Sequence, residues 1–312
     1  MDPKEFTVDP SPHLRDSCTT SRIMLHVIIA TVPAMVTSAI FFGWRALTLI
    51  AFCALSAMLW ERLIRFVMKR PDTTDDLSAM VTGILLAFNL PVTLPIWMAA
   101  IGTFTAIVVV KQLFGGLGQN FANPAIVGRI VLMLSFTGYM THWVLPEGVD
   151  AVSTATPLVT EESYSYIDLF LGRCGGCIGE TSKLALLIGG AYLVITRVIT
   201  LHAPLAFMGT VYLFSAAVGK DPIYQILSGG LMLGAIFMAT DYVTTPVTKK
   251  GRVVFGIGCG IVTCVIRFWC NAPEGVSYSI LLMNIVTPYI DMFTGKKAFG
   301  GKYGRDKKEA GK

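Results

Sequence analysis

LLAFNLPVTLP, residues 85–95, is an apolar run that meets an asparagine and then two prolines. Laid without gaps on IFMATDYVTTP, residues 236–246, it shares Val92, Thr93 and Pro95 with Val243, Thr244 and Pro246. Each copy is followed by a Gly-rich apolar span, an Asn/Pro/Gly break (GGLGQNFANPA at 115–125, CNAPEGVSY at 270–278) and a final span. Proline removes a backbone donor and clashes with the preceding turn, so it stops or kinks a helix. Matched breaks in two halves of an apolar chain are the pattern of interrupted helices that meet at a membrane site.

The rest of the chain supplies the apolar context. Hydrophobic residues make up 54% and charged residues 14% of the sequence, against roughly 25% charged in a soluble domain. Apolar windows separated by breakers fall at 23–42, 46–66, 78–90, 95–112, 125–141, 183–200, 203–219, 223–240, 252–270 and 277–293. Most have the length needed to cross a hydrocarbon core of roughly 30 Å as a helix; the third is short. The expected fold is an all-α polytopic membrane protein of about ten transmembrane helices. Five windows precede the 142–182 segment and five follow it, and an odd number makes the second half enter the membrane from the opposite side. That gives two inverted repeats, 23–141 and 183–293, flanked by segment 1–22 and the basic tail 294–312.

Charge sets the sidedness. One side receives Arg15, Arg22, Arg62, Arg65, Lys69, Arg70, Lys111, Arg129, Arg197, Lys249, Lys250, Arg252 and the tail. The other receives Arg45, Arg173, Lys183 and Lys220 among many acids. Positive charge marks the cytoplasmic side, so both termini are expected in the cytoplasm and the 142–182 loop outside. Residues 1–22 are polar and lack a signal-peptide pattern, so the first span is expected to be retained. The net charge of +5 sits at span ends and in the tail; it is no nucleic-acid footprint.

Within the outer loop, DAVSTATPL at 150–158 carries three hydroxyls, Ser153, Thr154 and Thr156. By residue type alone it reads as a Ser/Thr turn. GETSK at 179–183 places Glu180, Thr181 and Ser182 at a helix start, where they cap backbone N–H groups or meet a phosphate. Asp241 and Asp291 lie near the ends of spans in the second repeat, and acids at such positions are candidate ion sites. Cys53, Cys259 and Cys264 fall in spans as small apolar groups. Cys174 and Cys177 form a CGGC in the outer loop, too few ligands for a cluster and free to form a disulfide there. No metal site is expected, and His13, His26, His142 and His202 lack the facing pair a haem needs.

Seven runs carry a family likeness: SPHLR at 11–15, LPVTLP at 90–95, KQLFGGLGQNFANPAIVGR at 111–129, DAVSTATPL at 150–158, GETSKLALLIGG at 179–190, MATDYVTTPVTKKGR at 238–252 and PEGVSYSILLMN at 273–284. Together they closely resemble the D subunit of Rnf-type electron-transport complexes and, more distantly, the B subunit of sodium-pumping NADH:quinone reductases. The resemblance implies a subunit of the prokaryotic cell membrane with a fold similar to urea channels. It implies a complex that moves electrons between ferredoxin and NAD while translocating sodium ions or protons. The family motif is Asp, two residues, Ser, Gly, Ala, Thr, with FMN on the final Thr through a phosphoester. Here that puts Asp150, Ser153 and Ala155 on the motif and FMN on Thr156, while Thr154 stands where the family has Gly. The same resemblance implies an FMN transferase for maturation, a second flavin-carrying partner subunit, a second noncovalent flavin such as riboflavin, and ion uptake through acids at the positions of Asp241 and Asp291. No NAD or ferredoxin site is readable, so partner subunits supply them and the chain is not a complete enzyme. The rival reading is a solute channel or transporter built on the same inverted repeat.

Overall fold

The computed structural model describes residues 19–144, 158, 164–270 and 274–295. Among them every regular element is helical. Helix α1 (Thr20–Phe42) begins at Thr19, whose hydroxyl accepts from Arg22 N, and it passes into α2 (Trp44–Val67) through Gly43 alone. Gly43 has φ 68°, a left-handed value that glycine adopts without steric cost. Helix α3 (Ser78–Phe88) stops at Asn89, and Pro91 and Pro95 carry the chain to α4 (Ile96–Phe104). The α4 axis continues as a π-helix over Thr105–Gln112. Helix α5 (Pro124–Ser135) starts with Asn123 as its cap, accepting from Ala125 N and Ile126 N, and Pro124 in the first turn. A short α6 (Thr137–Met140) follows.

After α7 (Tyr166–Leu171) come α8 (Lys183–Ile195) and α9 (His202–Val218). Next is α10 (Pro222–Leu227), capped by Asp221 ahead of Pro222 just as Asn123 caps α5 ahead of Pro124. Then α11 (Leu231–Leu233) runs into a second π-helix, Gly234–Met238. Long α12 (Lys249–Trp269) and α13 (Gly275–Thr294) close the chain. The window 223–240, expected as one span, is thus broken at Ser228–Gly230. The window 125–141 ends as a regular helix at Ser135, where Phe136 leaves the helical region.

Among the described residues four helices, α1, α2, α12 and α13, are long and apolar enough to cross a membrane. Their packing is that of a protein whose solvent is lipid. On α1 the large residues Leu25, Ile29, Val32, Val36 and Ile40 recur at helical spacing on the exposed side, whereas Ala30, Thr31, Ala34 and Ser38 are buried. Small residues allow helices to approach closely where lipid offers no hydrophobic drive to associate. Helix α1 lies against α8, α2 against α3, and α9 against α12. The α1–α8 contact is tight at Gly189, where a Cβ would overlap the carbonyl oxygen of Ala30. Gly189→Val is therefore expected to push these helices apart and destabilise the fold by about 1–3 kcal/mol, read as a lower thermal midpoint in detergent; an unchanged midpoint would show that the two helices separate freely.

Candidate functional site at the helix breaks

The break after α3 is closed by the far end of the segment expected to be an outer loop. Ile178 N donates to Leu90 O at 3.0 Å and Gly179 N to Phe88 O at 3.0 Å, so the turn at residues 177–180 is bonded to the chain as it leaves α3 at 88–90. A Cβ on Gly179 would overlap the Phe88 ring, so only glycine permits this approach. The Cys177 thiol donates to Asn89 O at 3.2 Å, and Ser38 Oγ reaches Ile178 O at 2.7 Å. Cys174 and Cys177 are both free and buried. Glu180, Thr181, Ser182 and Lys183 are buried too. Ser182 is the cap of α8, its hydroxyl accepting from Ala185 N. Glu180 instead folds back, Oε1 accepting from Cys177 N at 3.0 Å while Oε2 has no hydrogen-bond partner among the described residues.

Arg129 of α5 joins the pieces. Its Nη1 donates to Asn89 Oδ1 at 2.8 Å and Ser277 Oγ at 3.1 Å; its Nη2 reaches Cys177 Sγ at 3.7 Å and forms an ion pair with Glu274, which precedes α13. Lys183 Nζ donates to Glu180 O and, at 3.0 Å, to Gly229 O in the break between α10 and α11. Both helix breaks, α5 and the start of α13 therefore share one buried polar knot. Cys177, Glu180 and Glu274 offer ligand atoms within 4.8 Å of one another, but the Arg129 guanidinium already stands against two of them as their cation. A metal ion there would be repelled.

A second buried pair lies in the first half. Lys111, in the π-helix, is 3.0 Å from Glu61 Oε1 of α2 and donates to Ser78 Oγ at 2.6 Å; Gln112 Nε2 donates to the same carboxylate at 2.5 Å. Lys111 also borders a cavity, together with Ser78, Asn120 and Asn123 from the first half and Phe237, Thr240 and Asp241 from the second. The cavity holds about 90 Å³, room for an ion with a few waters and well below the roughly 300–1,000 Å³ of small-molecule sites. Two π-helices flank it, and such irregular turns recur at functional positions.

The expected site residues divide accordingly. Asp241 borders the cavity, its carboxylate accepting from Thr244 Oγ1 at 3.0 Å and Val243 N at 3.4 Å. Asp291 does not border it; near the end of α13 it accepts from Val247 N at 3.1 Å and ties down the 239–248 loop. Asp150, Ser153, Ala155 and Thr156 lie outside the described residues. Leu158 is described, and a Cβ built on Gly229 would meet its Cδ1 at 2.8 Å and Arg267 Nη2 at 3.4 Å. Between α7 and α10, Tyr166 donates its hydroxyl to Asp221, and that bond holds the Asp221 carboxyl below the usual carboxylate range. Glu61, Arg129 and Glu274 carry no motif that marks them as site residues in the sequence. Lys111, Arg129 and Lys183 enter the sequence reading only as markers of sidedness; all three are buried and bonded inside the bundle, so none reports which side a loop faces. The usable signal is a charge inside an apolar window, which is expensive unless paired.

A helical membrane protein with interrupted helices, a buried polar knot and a cavity between its halves is the class this architecture defines. The chain belongs to the NQR2, RnfD, RnfE family, whose model matches residues 7–300. It is 48% identical over 308 residues to the D subunit of the Na(+)-translocating ferredoxin:NAD(+) oxidoreductase complex of Acetobacterium woodii, covering 96% of this chain and 97% of that one. It is 43% identical over 318 residues to the D subunit of the proton-translocating ferredoxin:NAD(+) oxidoreductase complex of Clostridium ljungdahlii, covering 95% and 96%. It is 35% identical over 351 residues to the D subunit of the ion-translocating oxidoreductase complex of Escherichia coli O7:K1, covering 96% and 99%.

Proposed function

We propose that this chain is the flavin-carrying membrane subunit of an ion-translocating ferredoxin:NAD oxidoreductase complex, and that it passes electrons through FMN on Thr156 while the complex moves sodium ions or protons. The observation that carries the reading is the end-to-end similarity to the D subunits of such complexes, at 48% identity to the Acetobacterium woodii protein. DAVSTATPL favours it over a solute channel, because a pore has no use for a phosphoester acceptor. FMN supplies one- and two-electron chemistry when bound. Leu158, two residues beyond Thr156 in the sequence, lies against Gly229. A second, noncovalent flavin such as riboflavin belongs to the same proposal; the cavity bordered by Asn120, Asn123 and Phe237, at about 90 Å³, would have to widen to admit it.

The same reading takes the fold as two inverted five-span repeats similar to urea channels, with both termini cytoplasmic and the flavin segment on the outer face. The shared order of a helix, a Pro-containing break, a further helix and a final helix, α3, 89–95, α4 and α5 in the first half and α11, 239–248, α12 and α13 in the second, supports the repeat. The chain works with the other Rnf-type subunits, including a second flavin carrier, and needs a transferase to mature. On a denaturing gel, protein made in a host with that transferase is expected to fluoresce under ultraviolet light; a dark band sinks the proposal.

Asp241 is the acid that faces the cavity, so it is the proposed ion-uptake residue, and Asp291 supports the loop that carries it. Asp241→Asn is expected to raise the sodium concentration for half-maximal turnover of the assembled complex roughly tenfold, the effect of losing one charged ligand contact, with flavin content unchanged. An unaltered sodium dependence would reject that role.

A further inference from the structure

Arg22 and Arg197 stand on the two helices of the tight α1–α8 contact, Arg22 in the first turn of α1 and Arg197 just past the end of α8. Both border one cavity of about 250 Å³, together with His26, Thr196 and Tyr242. No Asp or Glu borders it, and among the described residues neither arginine side chain is in an ion pair or a hydrogen bond. Asp75 meets the start of α1 only through its backbone carbonyl, which accepts from Ser21 Oγ at 3.0 Å. The remaining polar groups are engaged nearby. Thr196 Oγ1 donates to Tyr192 O at 2.8 Å, the Tyr242 hydroxyl donates to Val198 O, and His26 Nδ1 lies 2.8 Å from the Tyr192 hydroxyl. The cavity therefore presents two guanidiniums without a counter-charge, and the guanidinium fork matches phosphate oxygens.

The end of α8 does not by itself call for an arginine. Val198 N donates to Leu193 O at 2.9 Å and Arg197 N to Val194 O at 3.0 Å, the paired bonds of a Schellman motif, in which glycine usually holds the place of Arg197. Arg197 takes that place at φ 58°, a left-handed value that non-glycine residues rarely adopt. Arg22 identifies where the anion comes from. It heads the exposed stripe of Leu25, Ile29, Val32 and Val36, spaced three or four residues apart on one face of a helix long and apolar enough to cross a membrane. A phosphate between Arg22 and Arg197 thus sits at the head of an apolar track, and basic pockets between membrane helices suit anionic lipid headgroups. We propose that this cavity binds the phosphate headgroup of an anionic glycerophospholipid, with Arg22 and Arg197 as its cationic contacts and an acyl chain along the α1 stripe.

The test uses the full chain, delipidated in a neutral detergent and titrated with phosphatidylglycerol, phosphatidylcholine or inorganic phosphate. Native mass spectrometry counts bound lipid, and thermal midpoints are measured alongside. Phosphatidylglycerol is expected to bind more tightly than phosphatidylcholine. Arg22→Gln and Arg197→Gly are each expected to weaken it roughly fivefold, the contribution of one basic residue at an anionic lipid surface. Glycine adopts φ 58° without steric cost, so Arg197→Gly is also expected to keep or raise the lipid-free midpoint. Weaker binding by a chain that is no less stable is not what a merely structural arginine gives. Arg62→Gln removes an exposed charge of α2 and is expected to leave the affinity unchanged. Equal affinity for the two lipids overturns the proposal, as does a loss in Arg62→Gln as large as that in Arg197→Gly. Inorganic phosphate that raises the midpoint as much as phosphatidylglycerol does also overturns it, since the site then takes a free anion and no lipid.

Discussion

Thr156→Ala is expected to lower in-gel flavin fluorescence to that of a chain made without the transferase, and to stop electron flow through the assembled complex. A phosphoester needs a side-chain oxygen, and alanine has none. The second loss follows from the first. A short tether holds its group at an effective concentration on the order of millimolar, and on an outer face a released flavin diffuses away, so added FMN should restore little turnover. Thr156→Ser keeps an oxygen and is expected to retain part of the label. Thr154 sharpens the experiment because it places another hydroxyl two residues upstream, where the family has glycine. Thr154→Gly should therefore leave fluorescence intact or raise it. Label that survives Thr156→Ala and disappears in Thr154→Gly would move the attachment to Thr154.

The breaks were legible because they are written locally. Asn89, Pro91 and Pro95 stop a helix by their own chemistry, and the same is true of the Asn123-Pro124 start. The break at Ser228–Gly230 was hidden for the opposite reason: the residues on either side are apolar, so hydropathy ran straight through it. The polar knot was illegible for a third reason. Asn89, Arg129, Cys177, Gly229 and Glu274 are far apart in the chain, and no periodicity links them. Charge counting used Arg129 and Lys111 as markers of an aqueous side, whereas each pairs with a carboxylate inside the bundle. The flavin attachment rests on resemblance alone. A Ser/Thr-rich turn has nothing in its own physics that demands a cofactor.

Arg129→Met is expected to be the most destabilising single change in the described core. Two magnitudes compete. Hydrogen bonds between membrane helices average only about 0.6 kcal/mol and reach about 1.7, so the contacts to Asn89 and Ser277 would add up to little. Removing one member of a buried ion pair costs about 3–5 kcal/mol, because the other charge stays behind without compensation. Glu274 is 7% exposed and its Oε1 already lacks a partner among the described residues, while Lys183 in the same knot is occupied by Glu180 O and Gly229 O. The unpaired charge should therefore dominate, and Arg129→Met should cost several times more than Ser277→Ala, which removes a hydrogen bond alone. The double variant Arg129→Met with Glu274→Gln removes both charges and should recover a large part of the loss, since an apolar or neutral replacement for a buried pair is often close to neutral. Thermal midpoints of wild type and the three variants in one detergent decide the matter. If Arg129→Met costs no more than Ser277→Ala, or if the double variant is worse than Arg129→Met alone, the Arg129–Glu274 pair is not what clasps the first half of the chain to the second.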